Sequence, residues 1–142
     1  MGKRKNIFSE MSLIRNSKEV VRTIDFTGVQ NGAIHPSDID AVLEFDNDIL
    51  ILIEVKKTGN DIPMGQKLLL ERICSSWKTS RSVVLKVEYK DIYDSSENIP
   101  LEACYVTEYY NKYRWSKTKS KYSLKGFLNY LGERWENKKC RF

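Results

Sequence analysis

The sequence of 142 residues lacks long hydrophobic runs. Its longest aliphatic stretch, Ile49 to Ile53, is far shorter than the roughly 18 apolar residues that a membrane-spanning helix needs. The basic residues 1–5 are not followed by an apolar segment, so the sequence predicts neither a signal peptide nor a membrane anchor. We therefore expect a cytoplasmic protein that does not associate with membranes.

Cysteine, histidine and glycine are also too sparse to form the usual motifs. Three cysteines stand at wide spacing, and His35 is the only histidine. This excludes a disulfide framework and a Cys/His zinc site of the usual kind. Gly59 and Gly65 fit neither a P-loop nor a dinucleotide fingerprint, so nothing indicates an ATPase.

Charge, in contrast, is abundant and unevenly placed. Residues 107–142 contain 10 Lys/Arg against 3 Asp/Glu, together with 9 of the 16 aromatic residues, whereas residues 1–106 carry a net charge of −2. A basic, aromatic-rich end on a near-neutral body is typical of a phosphate-binding surface. Lys117, Lys119 and Lys121 are its candidate nucleic-acid contacts. The alternative is a solvated basic face whose aromatic residues lie in the core.

The residue pattern predicts a single α/β domain, with a core over about residues 6–110 and a basic aromatic extension over about 111–142. A helix between the third and fourth strands allows a right-handed crossover, so we expect a mixed sheet flanked by helices. Lys112 to Lys121 is expected to be irregular. The predicted helices cover residues 6–15, 64–77 and 123–138, and the predicted strands cover 20–28, 38–45, 49–56, 81–89 and 103–109.

Charged residues follow the most apolar strand of the chain. Side chains alternate along a strand, so Glu54 and Lys56 lie on one face. Asp38 and Asp40 share a face of the preceding strand, and an Asx-rich turn over residues 46–48 predicts a hairpin that joins the two strands. Carboxylates buried there must either be neutralised or hold a metal ion.

The metal interpretation has a specific chemistry. Two carboxylates and the Val55 carbonyl offer oxygen ligands that suit Mg²⁺, which keeps several waters and binds substrate phosphates. The cation would polarise a phosphate and acidify a bound water, and Lys56 would orient that water or stabilise developing negative charge. The alternative is a simple ion pair between Glu54 and Lys56 at the end of a strand.

These residues resemble the motif of the PD-(D/E)XK nuclease superfamily, which includes restriction-endonuclease-like and Holliday-junction-resolvase-like enzymes. The match runs from Pro36 to Asp40 and, after thirteen intervening residues, continues with Glu54, Val55 and Lys56. The predicted αβββαβ order over about residues 6–90 also agrees. The resemblance implies a DNA endonuclease, structure-selective like a junction resolvase, that uses Mg²⁺ or, in its place, Mn²⁺.

The resemblance also implies roles for individual residues. Asp40 corresponds best to the family's metal-binding aspartate, because three apolar residues follow it, and Asp38 is the alternative. Glu10, or else Glu19, would supply the glutamate of the first helix. Gln66 would act in catalysis and Lys67 would bind DNA.

We further expect a homodimer, since cutting both strands takes two sites, although a nicking monomer would also fit. Two other functions stay open. The chain could be a nucleic-acid-binding domain that retains the nuclease fold without catalysis. It could also be a protein-interaction domain in which Glu54 and Lys56 only pair.

Overall fold

The computed structural model describes residues 24–142, and the chain divides into two units, residues 1–37 and 38–142. Within the described part of the first unit, the Val29 N–H donates to the Phe26 carbonyl, and Asn31 and Ile34 form an isolated bridge. Residues 24–28, the described part of the predicted first strand, form coil and a turn that ends at Gly28 with a φ of 90°. That left-handed conformation favours glycine and stops an extended strand.

The second unit contains one five-stranded sheet and two α-helices. The strand order follows the chain, and β2 and β3 pair in parallel while the other neighbours are antiparallel. The predicted α/β class with a mixed sheet is therefore confirmed. The elements are β1 (Ala41–Phe45), β2 (Ile49–Lys57), α1 (Met64–Ser76), β3 (Ser82–Tyr89), a 3₁₀ turn (Leu101–Ala103), β4 (Tyr105–Tyr110), β5 (Trp115–Ser123) and α2 (Leu124–Arg134).

The two helices cover opposite faces of the sheet. Leu50 and Leu52 of β2 pack with α1, whereas the intervening Ile49, Ile51 and Ile53 pack with α2. This double burial explains the unbroken apolar run of β2, since a strand covered on both faces has no polar side. Across residues 24–142, neither helix combines the length and the apolar character needed to cross a membrane.

The predicted hairpin joins β1 to β2. Phe45 pairs with Ile49, and the Asp48 N–H donates to the Phe45 carbonyl at 2.9 Å. Asp46 and Asn47 adopt φ values of 53° and 62°, a left-handed conformation that Asx residues tolerate better than most others. The turn fixes the register of the two strands that carry the predicted carboxylates.

The structure corrects the prediction for the basic end of the chain. Residues 112–121 were expected to be irregular, yet residues 115–123 form the edge strand β5, paired with β4. Its lysines alternate with serine and threonine, a period-two pattern whose polar character suits an edge strand. The last helix is shorter than expected and begins after Ser123, whose hydroxyl accepts from the Gly126 N–H. The basic end therefore belongs to the sheet and its core.

A close approach of the C-terminal segment to α2 can be tested by substitution. A Cβ at Gly132 would meet the backbone of Cys140, which is buried and cannot move cheaply. Gly132→Ala is expected to lower the free energy of unfolding by about 1–3 kcal/mol, measured by urea denaturation. Gly126→Ala is the control, because its Cβ would meet only the movable Ser123 hydroxyl. Equal stabilities of the two variants would contradict the packing described here.

Candidate active site at the carboxyl ends of the parallel strands

Charged side chains gather on the α1 face of the sheet, where β2 and β3 both end. Glu54 and Lys56 continue the alternation of Leu50 and Leu52, so they lie on that face. The carboxyl ends of adjacent parallel strands are the usual place for a ligand crevice in α/β sheets.

The hairpin places Asp40 beside Glu54. Ala41 pairs with Ile53, so the next position along the antiparallel register sets Asp40 opposite Glu54. Asp40 Oδ2 accepts a 2.8 Å hydrogen bond from the Val55 N–H. The Asp40 side chain thus replaces a backbone acceptor just before β1 begins. This hydrogen bond holds the Asp40 carboxylate at the site.

Glu54 is almost completely buried, with 1% of its surface exposed. Burial raises the pKa of Glu54, and the nearby negative charge of Asp40 raises it further, while the Lys56 ammonium acts in the opposite direction. Lys56 Nζ lies 3.2 Å from Glu54 Oε2. The other oxygen, Oε1, is buried without a hydrogen-bond partner. Such an atom is costly unless something else binds it.

A second charged group, which the sequence analysis missed, lies on the neighbouring strand. The parallel register sets Glu54 beside Lys86 and Lys56 beside Glu88. Lys86 is only 3% exposed, and its Nζ lies 2.9 Å from Glu88 Oε2 and 3.3 Å from Glu108 Oε2. Burial alone would lower the pKa of Lys86, but these two carboxylates outweigh it and raise the pKa. Lys86 is therefore a buried ammonium ion.

A β-bulge supplies the groups that complete this arrangement. The β3–β4 register shifts after the pair of Lys86 with Glu108, so the consecutive residues Thr107 and Glu108 both reach the polar face. The Thr107 hydroxyl donates to Glu88 Oε2 at 3.1 Å, and the Gly59 N–H donates to Glu88 Oε1 at 3.3 Å. Burial would raise the pKa of Glu88, but the hydrogen bonds from Lys86 and Gly59 lower it.

The loop between β2 and α1 contacts the charged groups of the site. The Thr58 hydroxyl lies 2.8 Å from the Tyr89 carbonyl and 2.8 Å from the Tyr105 hydroxyl. The exposed Asp61 carboxylate lies 3.7 Å from Lys86 Nζ. These contacts tie the loop to β3 and β4, so its backbone is held close to the carboxylates.

The structure also places three further residues of the predicted site, Gln66, Asp38 and Val55. Gln66 of α1 donates from Nε2 to the Asp38 carbonyl at 3.3 Å, which brings both residues to the entrance of the site. Asp38 itself is exposed. Val55 lies between Glu54 and Lys56, and its side chain packs on the α2 face.

The predicted DNA-binding lysines divide into two groups. Lys67 Nζ lies 4.8 Å from the centre of the Trp115 ring, and Lys121 Nζ lies 4.8 Å from the centre of the Tyr105 ring. Lys121 is thereby connected through Tyr105 to Thr58 at the site. Lys117 and Lys119 line a groove between β5 and α2. Glu10 and Glu19 lie outside the described residues.

The site offers only a small set of oxygen donors to a metal ion. Among residues 24–142, no three Asp, Glu, His or Cys side chains come together as a group that could bind a metal ion. Asp40 and Glu54 form a pair of neighbouring carboxylates, and Glu54 Oε1 has no hydrogen-bond partner. Two carboxylates still suit Mg²⁺, which is commonly bound by one or two carboxylates together with waters and substrate phosphates.

Comparison of the chain with protein-family models, with curated proteins and with solved structures finds no match. Any proposal for its function therefore depends on the chemistry of the site.

The Lys86 cluster makes a strong prediction for stability. Lys86→Met leaves Glu88 and Glu108 without their buried counter-charge, so the free energy of unfolding is expected to fall by about 3–5 kcal/mol. Lys125→Met is the control, because its 3.2 Å contact with Glu102 is exposed and such pairs contribute about 0–1 kcal/mol. Denaturant unfolding of the two variants measures the difference. Similar losses would show that Lys86 is not held as a buried ion.

Glu54 makes a prediction with a defined pH dependence. Its pKa in the folded state is raised, so the folded protein binds this proton more tightly than the unfolded chain does. The resulting stabilisation is complete below the unfolded pKa and is lost as the pH rises through the folded pKa. Glu54→Gln, which is permanently neutral, should therefore raise the Tm at neutral pH in EDTA, by about 4 °C for each kcal/mol gained.

The rise in Tm that we expect for Glu54→Gln should be smaller at about pH 4, where wild-type Glu54 is protonated. Glu102→Gln serves as the control, because Glu102 is an exposed carboxylate whose neutralisation should leave the Tm nearly unchanged. Thermal unfolding at both pH values tests the prediction. A lower Tm for Glu54→Gln at neutral pH would mean that its ion pair with Lys56 outweighs burial.

Proposed function

We propose that the protein is a metal-dependent nuclease that hydrolyses phosphodiester bonds in DNA. The observation that carries the proposal is the buried Glu54 beside Asp40, with one Glu54 oxygen lacking any partner and Lys56 on the same face. A purely structural ion pair would not require a second carboxylate or an unpaired oxygen. Perturbed carboxylates at the carboxyl end of a parallel strand are typical of functional sites.

Asp40 and Glu54 would hold Mg²⁺ or Mn²⁺, with the Val55 carbonyl as a further oxygen ligand. The bound cation would polarise the scissile phosphate and lower the pKa of a coordinated water. Lys56, whose side chain is 22% exposed and whose ammonium lies 3.2 Å from Glu54, would orient the attacking water or stabilise charge on the phosphate. Gln66, at the entrance, would position the substrate backbone.

Cationic side chains on the α1 face would bind the phosphates on either side of the scissile bond. Lys121 stacks over Tyr105 and Lys67 stacks over Trp115, so both ammonium groups are positioned by an aromatic ring. The resemblance to junction-resolvase-like enzymes supports a structure-selective activity. A homodimer would allow both strands of a duplex to be cut.

A non-catalytic nucleic-acid-binding domain is the second candidate. The charged network around Lys86, in which Glu88 and Glu108 both contact the ammonium, favours it because these carboxylates are held in place without a metal ion. Asp40 and the unpaired Glu54 oxygen favour the nuclease, because neither of them belongs to that network. Cleavage of DNA separates the two candidates.

Substitution at the site tests the nuclease proposal. Asp40→Asn and Glu54→Gln keep the shape of the site but remove a charge, and Lys56→Ala removes the ammonium group, so each should lower Mg²⁺-dependent cleavage by about 100-fold or more. DNA affinity should stay close to that of the wild type. The measurement is cleavage of labelled duplex, flap, single-stranded and four-way-junction DNA in Mg²⁺, with EDTA as the blank.

The exposed pair of Glu102 and Lys125 provides matched controls, because its N–O distance is also 3.2 Å. Glu102→Gln and Lys125→Ala should cleave as the wild type does. Asp38→Asn should also cleave normally if Asp40 is the ligand. Binding without cleavage of any substrate by the wild type would favour the non-catalytic domain. Normal cleavage by Glu54→Gln would assign the activity to another site.

A further inference from the structure

A groove of about 890 Å³ lies between β5 and α2. It is on the α2 face of the sheet, because Tyr109 and Phe127, which line it, pack in the core cluster of that face. The carboxylates of the candidate active site lie on the opposite, α1 face. The groove is therefore a separate surface.

The charge of the groove has one sign. Its lining includes Lys117, Lys119, Lys121 and Arg134 and no aspartate or glutamate, although Lys117 pairs with Glu108 across the ladder and the Lys121 ammonium lies over the Tyr105 ring on the α1 face. Elsewhere in the described unit, basic side chains commonly pair with carboxylates, as Lys57 does with Asp91 and Lys139 does with Asp46. Among the described residues, Lys119 and Arg134 line the groove without forming an ion pair, and their charge favours an anionic ligand.

Aromatic rings are interleaved with these cations. Tyr113 is 85% exposed, Tyr130 is 52% exposed and Tyr122 is 45% exposed, and all three line the groove. Phe127 contacts both Tyr122 and Tyr130, with ring centroids 6.2 and 5.9 Å apart, so a buried ring supports the two exposed ones. Exposed rings beside cations are the features with which proteins bind single-stranded nucleic acids, stacking bases and neutralising phosphates.

The irregular edge of β5 forms one wall of the groove. The β4–β5 register shifts between Val106 and Glu108, and the Thr118 hydroxyl donates to the Val106 and Thr107 carbonyls at 3.1 and 3.2 Å. The bulge therefore lies along the edge strand, with Lys119 and Lys121 beside it. Lys121 lines the groove and also places its ammonium over Tyr105, next to the active-site loop.

We propose that the groove between β5 and α2 binds a single-stranded nucleic-acid segment, with tyrosines stacking on bases and with Lys119 and Arg134 contacting phosphates. This site is distinct from the catalytic carboxylates and does not depend on them. A strand that follows the edge of the sheet past Lys121 would connect the groove with the candidate active site.

Fluorescence anisotropy with a labelled oligothymidine tests the proposal, in EDTA so that cleavage cannot contribute. The full chain is used, with a duplex of equal length as the second probe. Tyr113→Leu with Tyr130→Leu keeps apolar volume but removes two rings, and it should weaken single-strand binding by about tenfold or more. Tyr113→Phe with Tyr130→Phe keeps the rings and should bind as the wild type does.

The cationic part of the groove has its own variant and control. Lys119→Ala with Arg134→Ala should weaken binding and reduce the salt dependence, whose log–log slope is about −0.7 per neutralised phosphate on single strands. Lys78→Ala with Lys139→Ala removes the same charge beside the β1–β2 turn, at the opposite edge of the sheet. That control should leave both affinity and slope unchanged.

The proposal would be overturned if the wild type did not bind the oligothymidine, or if the leucine variant bound it as tightly as the wild type does. Equal losses of affinity for the groove and control charge variants would overturn it as well. Competition by a glutamate-rich peptide at the same charge concentration would also overturn it, because it would show a general anion surface. Binding through the groove by a protein that cuts no DNA would support this site while rejecting the nuclease.

Discussion

The parallel pairing of β2 with β3 is the constraint on which the polar face of the sheet depends. Its register sets Glu54 beside Lys86 and Lys56 beside Glu88, so each buried charge has an opposite charge on the next strand. A shift of the β2 register by one residue would move these charged side chains to the other face, into the apolar layer that packs against α2. A slip of two residues in one direction would bring Glu54 beside Glu88, a like-charge contact. Charge and hydrophobicity thus select the same register.

The resulting charges are not equally well compensated. Lys86 has Glu88 and Glu108 within 3.3 Å, whereas Lys56 contacts only one Glu54 oxygen. In both groups one ammonium faces two carboxylates, so each keeps one negative charge in excess, but only Glu54 has a buried oxygen without a hydrogen-bond partner. A protein selected for stability alone would replace such a group with an apolar side chain. Local departures from otherwise consistent packing are expected at functional sites, and this imbalance motivates the nuclease proposal.

The sequence predicted the parts of the site that depend on local patterns. Period-two alternation placed Glu54 and Lys56 on one face, and the Asx-rich turn predicted the hairpin that brings Asp40 near them. The contacts of Glu108 with Lys86 and of Thr107 with Glu88 depend on the bulge at Thr107, which only the pairing of distant strands creates. A lysine and a glutamate two residues apart in an apolar strand were nevertheless a visible signal. The strand β5 was missed because its alternation contains few apolar residues.

An edge strand rich in lysine has an ordinary explanation, since charge on an exposed edge prevents pairing with other chains. That explanation accounts for Lys117, Lys119 and Lys121 but not for the aromatic residues around them. Tyr113, in the turn between β4 and β5, exposes 85% of its surface, and a turn residue of this size has no role in protecting the edge. Arg134 extends the positive charge onto α2, which has no edge to protect. The combination therefore favours a surface that binds an anionic, aromatic-containing ligand over one that only resists aggregation.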